Sequence, residues 1–146
     1  VNFEFSEEQD LLREQARSFL KDKSSPAAVR EILESDKAYD QDLWKGMVEL
    51  GWPAALIPEA YGGLGLGYLE LCVLAEELGA SLAPTPFASS VYLATVALLM
   101  FGDDAQKKAW LPRLAAAHCI GTLAVADQAQ PTTGTDSATR VEGADK

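Results

Sequence analysis

The sequence of 146 residues is poor in the groups that most hydrolytic and metal chemistry requires. It has one histidine, His118, and two cysteines, Cys72 and Cys119, far apart in apolar segments. Neither a zinc-ligand spacing nor a disulfide framework can be written from them, so buried free thiols in a reducing cytosol are expected. No serine or cysteine has an evident partner base, since the sole imidazole precedes an apolar segment with no relay behind it. His118 is instead expected to complement a helix C-terminus. Positive charge is also scarce: 12 basic residues against 22 acidic ones give a formal charge of -10. That balance disfavours nucleic acid and anionic membrane surfaces as partners. The most apolar run, FASSVYLATVALLMF from Phe87 to Phe101, is shorter than the roughly 20 residues that span a bilayer. Its Ser89, Ser90 and Thr95 suit a helix buried among helices, so no membrane span is expected. The opening VNFEFSEEQD lacks the basic start and apolar stretch of a secretory signal, and a cytoplasmic location is expected.

What the chain does contain is helical periodicity. From Ser6 to Lys23, Ser6 and Gln9 form a capping box and Leu12, Ala16, Phe19 and Leu20 share a face. A second helix starts at Ser25-Pro26 and buries Val29, Ile32 and Leu33. A third opens at Asp40, presents Leu43, Met47 and Leu50 inward, and stops at Gly51. Between Trp52 and Gly67 two prolines argue against a helix and four glycines permit unusual backbone shapes, which predicts an ordered loop. A fourth helix from Tyr68 carries Leu71, Leu74, Ala75 and Leu78 on one stripe and ends near Gly79. The fifth is the apolar run, stopped by Gly102. Asp103 and Gln106 cap a sixth, with Ala105, Ala109 and Trp110 inward until Pro112 kinks or shortens it, and with Leu111 and Leu114 continuing the packing.

Cys119 to Asp127 then reads as a strand, with β-branched Ile120, Thr122 and Val125. The remaining residues show no apolar periodicity. A single strand cannot cover its own faces, so another chain or further sequence is expected to complete it. The chain therefore divides into a helical domain, residues 1–117, and the incomplete start of a β-domain, residues 118–146: a mainly α fold of six helices followed by a first strand. The acidic pairs Glu7/Glu8, Glu76/Glu77 and Asp103/Asp104 read as solvated or dipole-complementing groups. The run YGGLGLG, from Tyr61 to Gly67, lacks the preceding strand and the lysine of a phosphate-binding loop, which leaves close backbone packing as its reading.

Three stretches in order carry a resemblance: FEFSEEQDLLREQARSFL near the start, PEAYGGLGLGYLELCVLAEELG from Pro58, and FGDDAQKKAWLPRLAAAHCIGTLAVAD from Phe101. Together they closely resemble the N-terminal part of acyl-CoA dehydrogenases. The resemblance implies an α-helical N-terminal domain, a middle β-domain and a C-terminal four-helix domain, the last two cradling FAD. It implies removal of a proton beside an acyl-CoA thioester carbonyl and of a hydride from the neighbouring carbon to the flavin. The family's glutamate base belongs to a C-terminal part that this sequence does not contain. Acyl-CoA as substrate, electron-transfer flavoprotein or a similar acceptor, and a homo- or hetero-tetramer follow from the same resemblance, and related oxidases pass the electrons to oxygen instead.

The resemblance also implies cofactor contacts at Leu123, Val125, Ala126 and Thr135, and a substrate pocket to which Ser89, Ser90 and Thr95 contribute. The family's strand ends in threonine, glutamate and proline before a loop to G-S-D. Here Ala126, Asp127 and Gln128 stand at those three positions and Gly134-Thr135-Asp136 matches G-S-D, after a loop about three residues longer, a change that surface loops tolerate. Ala126 removes a hydroxyl that would bond the flavin, a loss of about 0.5–1.5 kcal/mol. Two functions stay open: part of an FAD-dependent dehydrogenase inactive as an isolated chain, or a non-catalytic helical subunit of a mixed complex.

Overall fold

The computed structural model describes residues 4–124. Helix α1, Glu7–Lys23, begins at Ser6, whose hydroxyl accepts the Gln9 N–H at 3.2 Å while the Gln9 side chain accepts the Ser6 N–H at 3.0 Å. This reciprocal bonding satisfies two donors that a helix start leaves open. α2, Pro26–Leu33, is capped by Ser25 with proline in its first turn, and α3, Gln41–Glu49, is capped by Asp40. α4 spans Tyr68–Ala80. α5 has two parts: wide π-helical turns over Ala88–Thr95 run directly into the α-helical Val96–Phe101. α6, Asp104–Ala115, is capped by Asp103 and Gln106.

The main core forms where α1 packs along α4 and both meet α3 and α5: Ala16, Leu20, Leu43, Met47, Leu71, Leu74 and Val91 are all buried there. Three polar ties flank the α1–α4 seam. Gln9 donates to Glu70 at 2.7 Å, Arg13 to Glu76 at 2.7 Å, and Arg17 to both carboxylate oxygens of Glu77 at 3.0 and 2.7 Å. Partner numbers rise together along both helices, so the two run in the same direction. Glu77 is buried and Arg17 is not. The hydrogen bond and charge of Glu77 raise the Arg17 pKa, holding the guanidinium charged over a carboxylate that burial alone would penalise.

The loop after α3 is a packed unit. Trp52–Ala54 and Glu59–Tyr61 each form a single 3-10 turn, and the backbone folds on itself through Leu64 N–H to the Ala54 carbonyl, Leu66 N–H to Ala55 and Gly65 N–H to Ile57, at 2.8–2.9 Å. Residues 52–57 are buried by this closure. Gly63 makes it possible: a Cβ there would sit 1.8 Å from the Ile57 carbonyl oxygen. A second, smaller core of Ile57, Leu111 and Leu114 joins the loop to α6.

Several sequence-based expectations differ from what is observed. Pro53 and Pro58 do not exclude helical turns, because proline is tolerated at the start of a short 3-10 turn. Leu33 is 75% exposed and Leu50 is also exposed, since each ends a short helix whose earlier residues take the core side. In α6, Leu111 and Leu114 are buried and meet Ile57, continuing the packing as expected, while Ala105, Ala109 and Trp110, also expected inward, are exposed. Pro112 does not shorten α6, which runs through it to Ala115. Glu77 is a buried ion-pair partner rather than a solvated acid. The thiols are free, but Cys72 is exposed and Cys119 half-buried. His118 is exposed, and its backbone N–H closes the helix end on the Arg113 carbonyl at 2.8 Å. The segment expected to be a strand from Cys119 forms no ladder over residues 119–124, where no neighbouring strand among the described residues offers one; its continuation to Asp127 lies outside them.

Leu111→Ala should lower stability by about 2–5 kcal/mol, read from the denaturant midpoint, because the fully buried side chain joins the loop to α6. Gly63→Ala should destabilise by at least about 1–3 kcal/mol, since the methyl meets backbone that cannot swing aside. The Glu70 pKa is lowered, first by the Gln9 side chain and then by the N–H groups of Glu70 itself and Gly67. A depressed folded pKa contributes stability above the unfolded value that is lost as pH falls through the folded one. Glu70→Gln should therefore flatten the fall in melting temperature below about pH 4–5, and an unchanged acid profile would contradict the assignment.

Candidate functional site

The chain leaves α6 through Ala117, whose φ of 51° reverses its direction, and residues 119–124 return across α5 and α6. Between the helices and this returning segment lies a cleft of about 430 Å³. Ala94, Ala97, Leu98 and Phe101 line it from α5, Gln106, Trp110 and Leu114 from α6, and Cys119 to Leu123 from the returning segment. No lining side chain is charged. Phe101 is 81% exposed and Trp110 44% exposed, so α5 and α6 present aromatic surface to whatever enters. The Arg113 guanidinium stacks 4.8 Å from the Trp110 ring centre, which fixes the indole without placing a charge among the lining residues. The arrangement suits a flat or aliphatic apolar group. Among the described residues no cluster of His, Cys, Asp and Glu could hold a metal ion, and no helix is long and apolar enough to cross a membrane.

Leu123 lies at the rim of this cleft, 42% exposed. Val125, Ala126 and Thr135 lie outside the described residues. Ser89, Ser90 and Thr95 of α5 have other partners than a ligand. Ser89 donates to the Pro86 carbonyl at 3.0 Å, and Thr95 donates to the Ser90 carbonyl at 2.8 Å. Ser90 accepts the Gly121 N–H at 3.2 Å. None of the three lines the cleft, although Ser90 reaches the same segment that carries Leu123. Sequence reasoning missed Ala94, Leu98, Phe101 and Trp110 as cleft residues. The available signal was Phe101 beside Gly102 at a helix end, an aromatic with no following turn to cover it.

For a flavin, the described residues offer two fitting features. Apolar walls match the faces of a fused ring. The main-chain groups of Thr122, Leu123 and Ala124 also have no hydrogen-bond partner among the described residues, which leaves them for a ring's polar edge. No lining residue is suited to a diphosphate, whose expected contact, Thr135, is outside the described part.

Residues 6–118 match the family model for the acyl-CoA dehydrogenase N-terminal domain. The chain is 40% identical to the acyl-CoA dehydrogenase IpdE2 of Mycolicibacterium smegmatis over 119 residues, which covers 81% of this chain and 37% of that protein. It is 32% identical to the mitochondrial isovaleryl-CoA dehydrogenase of Arabidopsis thaliana over 134 residues, 90% of this chain and 32% of that protein. Among solved structures, the ChsE4-ChsE5 complex from Mycobacterium tuberculosis superposes with a TM-score of 0.81 at 26% identity, covering 90% of this chain and 36% of that one. The chain thus spans about a third of the length of the curated relatives it matches.

Phe101→Ala should leave the melting temperature nearly unchanged, because the ring is largely exposed, yet weaken binding of an apolar fluorescent probe to the cleft. A probe that binds the variant as well as the parent would show that the cleft is not its site.

Proposed function

The chain belongs to the acyl-CoA dehydrogenase family through its N-terminal domain, and from that premise we propose that the whole protein of which these residues form part is an FAD-dependent enzyme that converts an acyl-CoA thioester to its 2,3-enoyl form. The observation that carries the reading is the apolar cleft between α5, α6 and residues 119–123, open beside main-chain groups that have no partner among the described residues and followed directly by the residues that resemble the family's flavin contacts. Bound flavin supplies the hydride acceptor. The part of these residues is binding and exclusion of water: Leu123, with Val125 and Ala126 after it, offers main chain to the ring, and Thr135 offers a hydroxyl to phosphate. Loss of a threonine hydroxyl at Ala126 leaves main-chain contacts as the principal hold. Of Ser89, Ser90 and Thr95, Ser89 is the one left half-buried and so the most open to a substrate. The isolated chain contains no base for the α-proton and is inactive by itself. Electron-transfer flavoprotein or a similar carrier takes the electrons, in an assembly of four subunits in the cytoplasm, where the exposed Cys72 thiol stays reduced.

A second reading is a helical subunit that works beside a catalytically competent partner. It is favoured by Ala126 and by the likeness to a chain from a structure of two different gene products, ChsE4 and ChsE5.

The whole protein, purified alone, should carry visible flavin absorption at close to one FAD per catalytic site and bleach on mixing with acyl-CoA, while residues 1–146 alone should do neither. A colourless protein that co-purifies with another dehydrogenase subunit would overturn the first reading in favour of the second.

A further inference from the structure

We propose that Ser90 is a positioning residue for the cofactor: from inside α5 it fixes the segment around Gly121 that leads to Leu123, and so sets the edge on which the flavin lies. The proposal rests on the flavoprotein reading above and assigns Ser90 a role other than substrate contact.

The hydroxyl oxygen of Ser90 reaches beyond its own helix. A buried serine ordinarily bonds back to a carbonyl three or four residues earlier. The carbonyl four residues earlier, that of Pro86, already takes the Ser90 N–H at 3.0 Å and the Ser89 hydroxyl at 3.0 Å. The Ser90 carbonyl in turn takes the hydroxyl of Thr95, five residues on, across the wide turns of Ala88–Thr95. Such wide turns are rare and recur where a helix serves a site. Ser90 is only 2% exposed, and its hydroxyl oxygen accepts the Gly121 N–H.

That bond is the one hydrogen bond among the described residues that ties residues 119–124 to the helices. Packing sharpens it. A Cβ at Gly121 would lie 2.5 Å from the Ala94 Cβ and 3.3 Å from a Leu114 methyl, so the segment is seated against α5 and α6 with no room for a side chain. Bond and close contact together determine where Thr122 and Leu123 stand over the cleft. A binding group must be held within about 0.5 Å to act productively. Without the acceptor at residue 90, the half-buried Gly121 N–H loses its partner and the segment is released to bond water instead.

The test uses the whole flavin-loaded protein and compares Ser90→Ala with Ser90→Thr, which keeps the acceptor oxygen. In Ser90→Ala the Gly121 amide should exchange faster with solvent and FAD affinity should fall roughly three- to tenfold, with the far-UV helical signal unchanged. Ser90→Thr should retain slow exchange and most of the affinity. Wild-type protein that binds FAD while Ser90→Ala binds it equally well overturns the role of Ser90 alone. Loss of flavin that accompanies loss of the helical signal also overturns it, since Ser90 would then be structural only. Wild-type protein without flavin overturns the proposed function, and this role with it.

Discussion

The main core of the described domain is built on the seam between α1 and α4. Ala16 and Leu20 on one side and Leu71, Leu74 and Leu78 on the other give it a continuous apolar strip. The bidentate Arg17–Glu77 pair closes one end, and the Gln9–Glu70 bond closes the other. A buried carboxylate is costly unless it is paired. Glu77 therefore holds α1 and α4 in one register as well as adding attraction between them. Against this pair α3 brings Met47 and Trp44, and the first turns of α5 bring Phe87 and Val91. The cleft lies at the far end of α5, so its position is inherited from the seam.

The loop from Trp52 to Gly67 connects that core to the functional end of the molecule. Its closure buries Ile57, which meets Leu111 and Leu114 of α6, and the same Leu114 touches the space left by Gly121. Loop, α6 and the returning segment are thus in contact through a few side chains. The glycine-rich run that could be mistaken for a phosphate cradle is a packing device. Its defining residue, Gly63, is required by the approach of a carbonyl oxygen and not by any ligand.

The departures from sequence-based expectation share one cause. Periodicity gives the spacing of an apolar stripe but not which stripe a neighbour covers. In α6, Ala105, Ala109 and Trp110 read as inward along with Leu111 and Leu114, and only the place of Ile57 decides that the two leucines alone are covered. Glu77 follows another acid on a helix and reads as solvated until Arg17, sixty residues away, lies over it. Ser90 reads as a pocket-lining hydroxyl until Gly121 is brought to it. The candidate site is legible in the same partial way: Leu123, which the resemblance names, lines the cleft, while Phe101 and Trp110 read as core by their spacing.

By itself the sequence determined the helices and their caps, since capping boxes at Ser6 and Asp103, caps at Ser25 and Asp40, and apolar spacing are local properties of a few consecutive residues. It also carried family membership in the order of three motifs. The tertiary structure alone decided which apolar residues are covered and which line a cleft, because burial depends on partners tens of residues away. It likewise decided that α5 begins in wide turns and that Ser90 accepts the Gly121 N–H, because that partner lies 31 residues further along the chain.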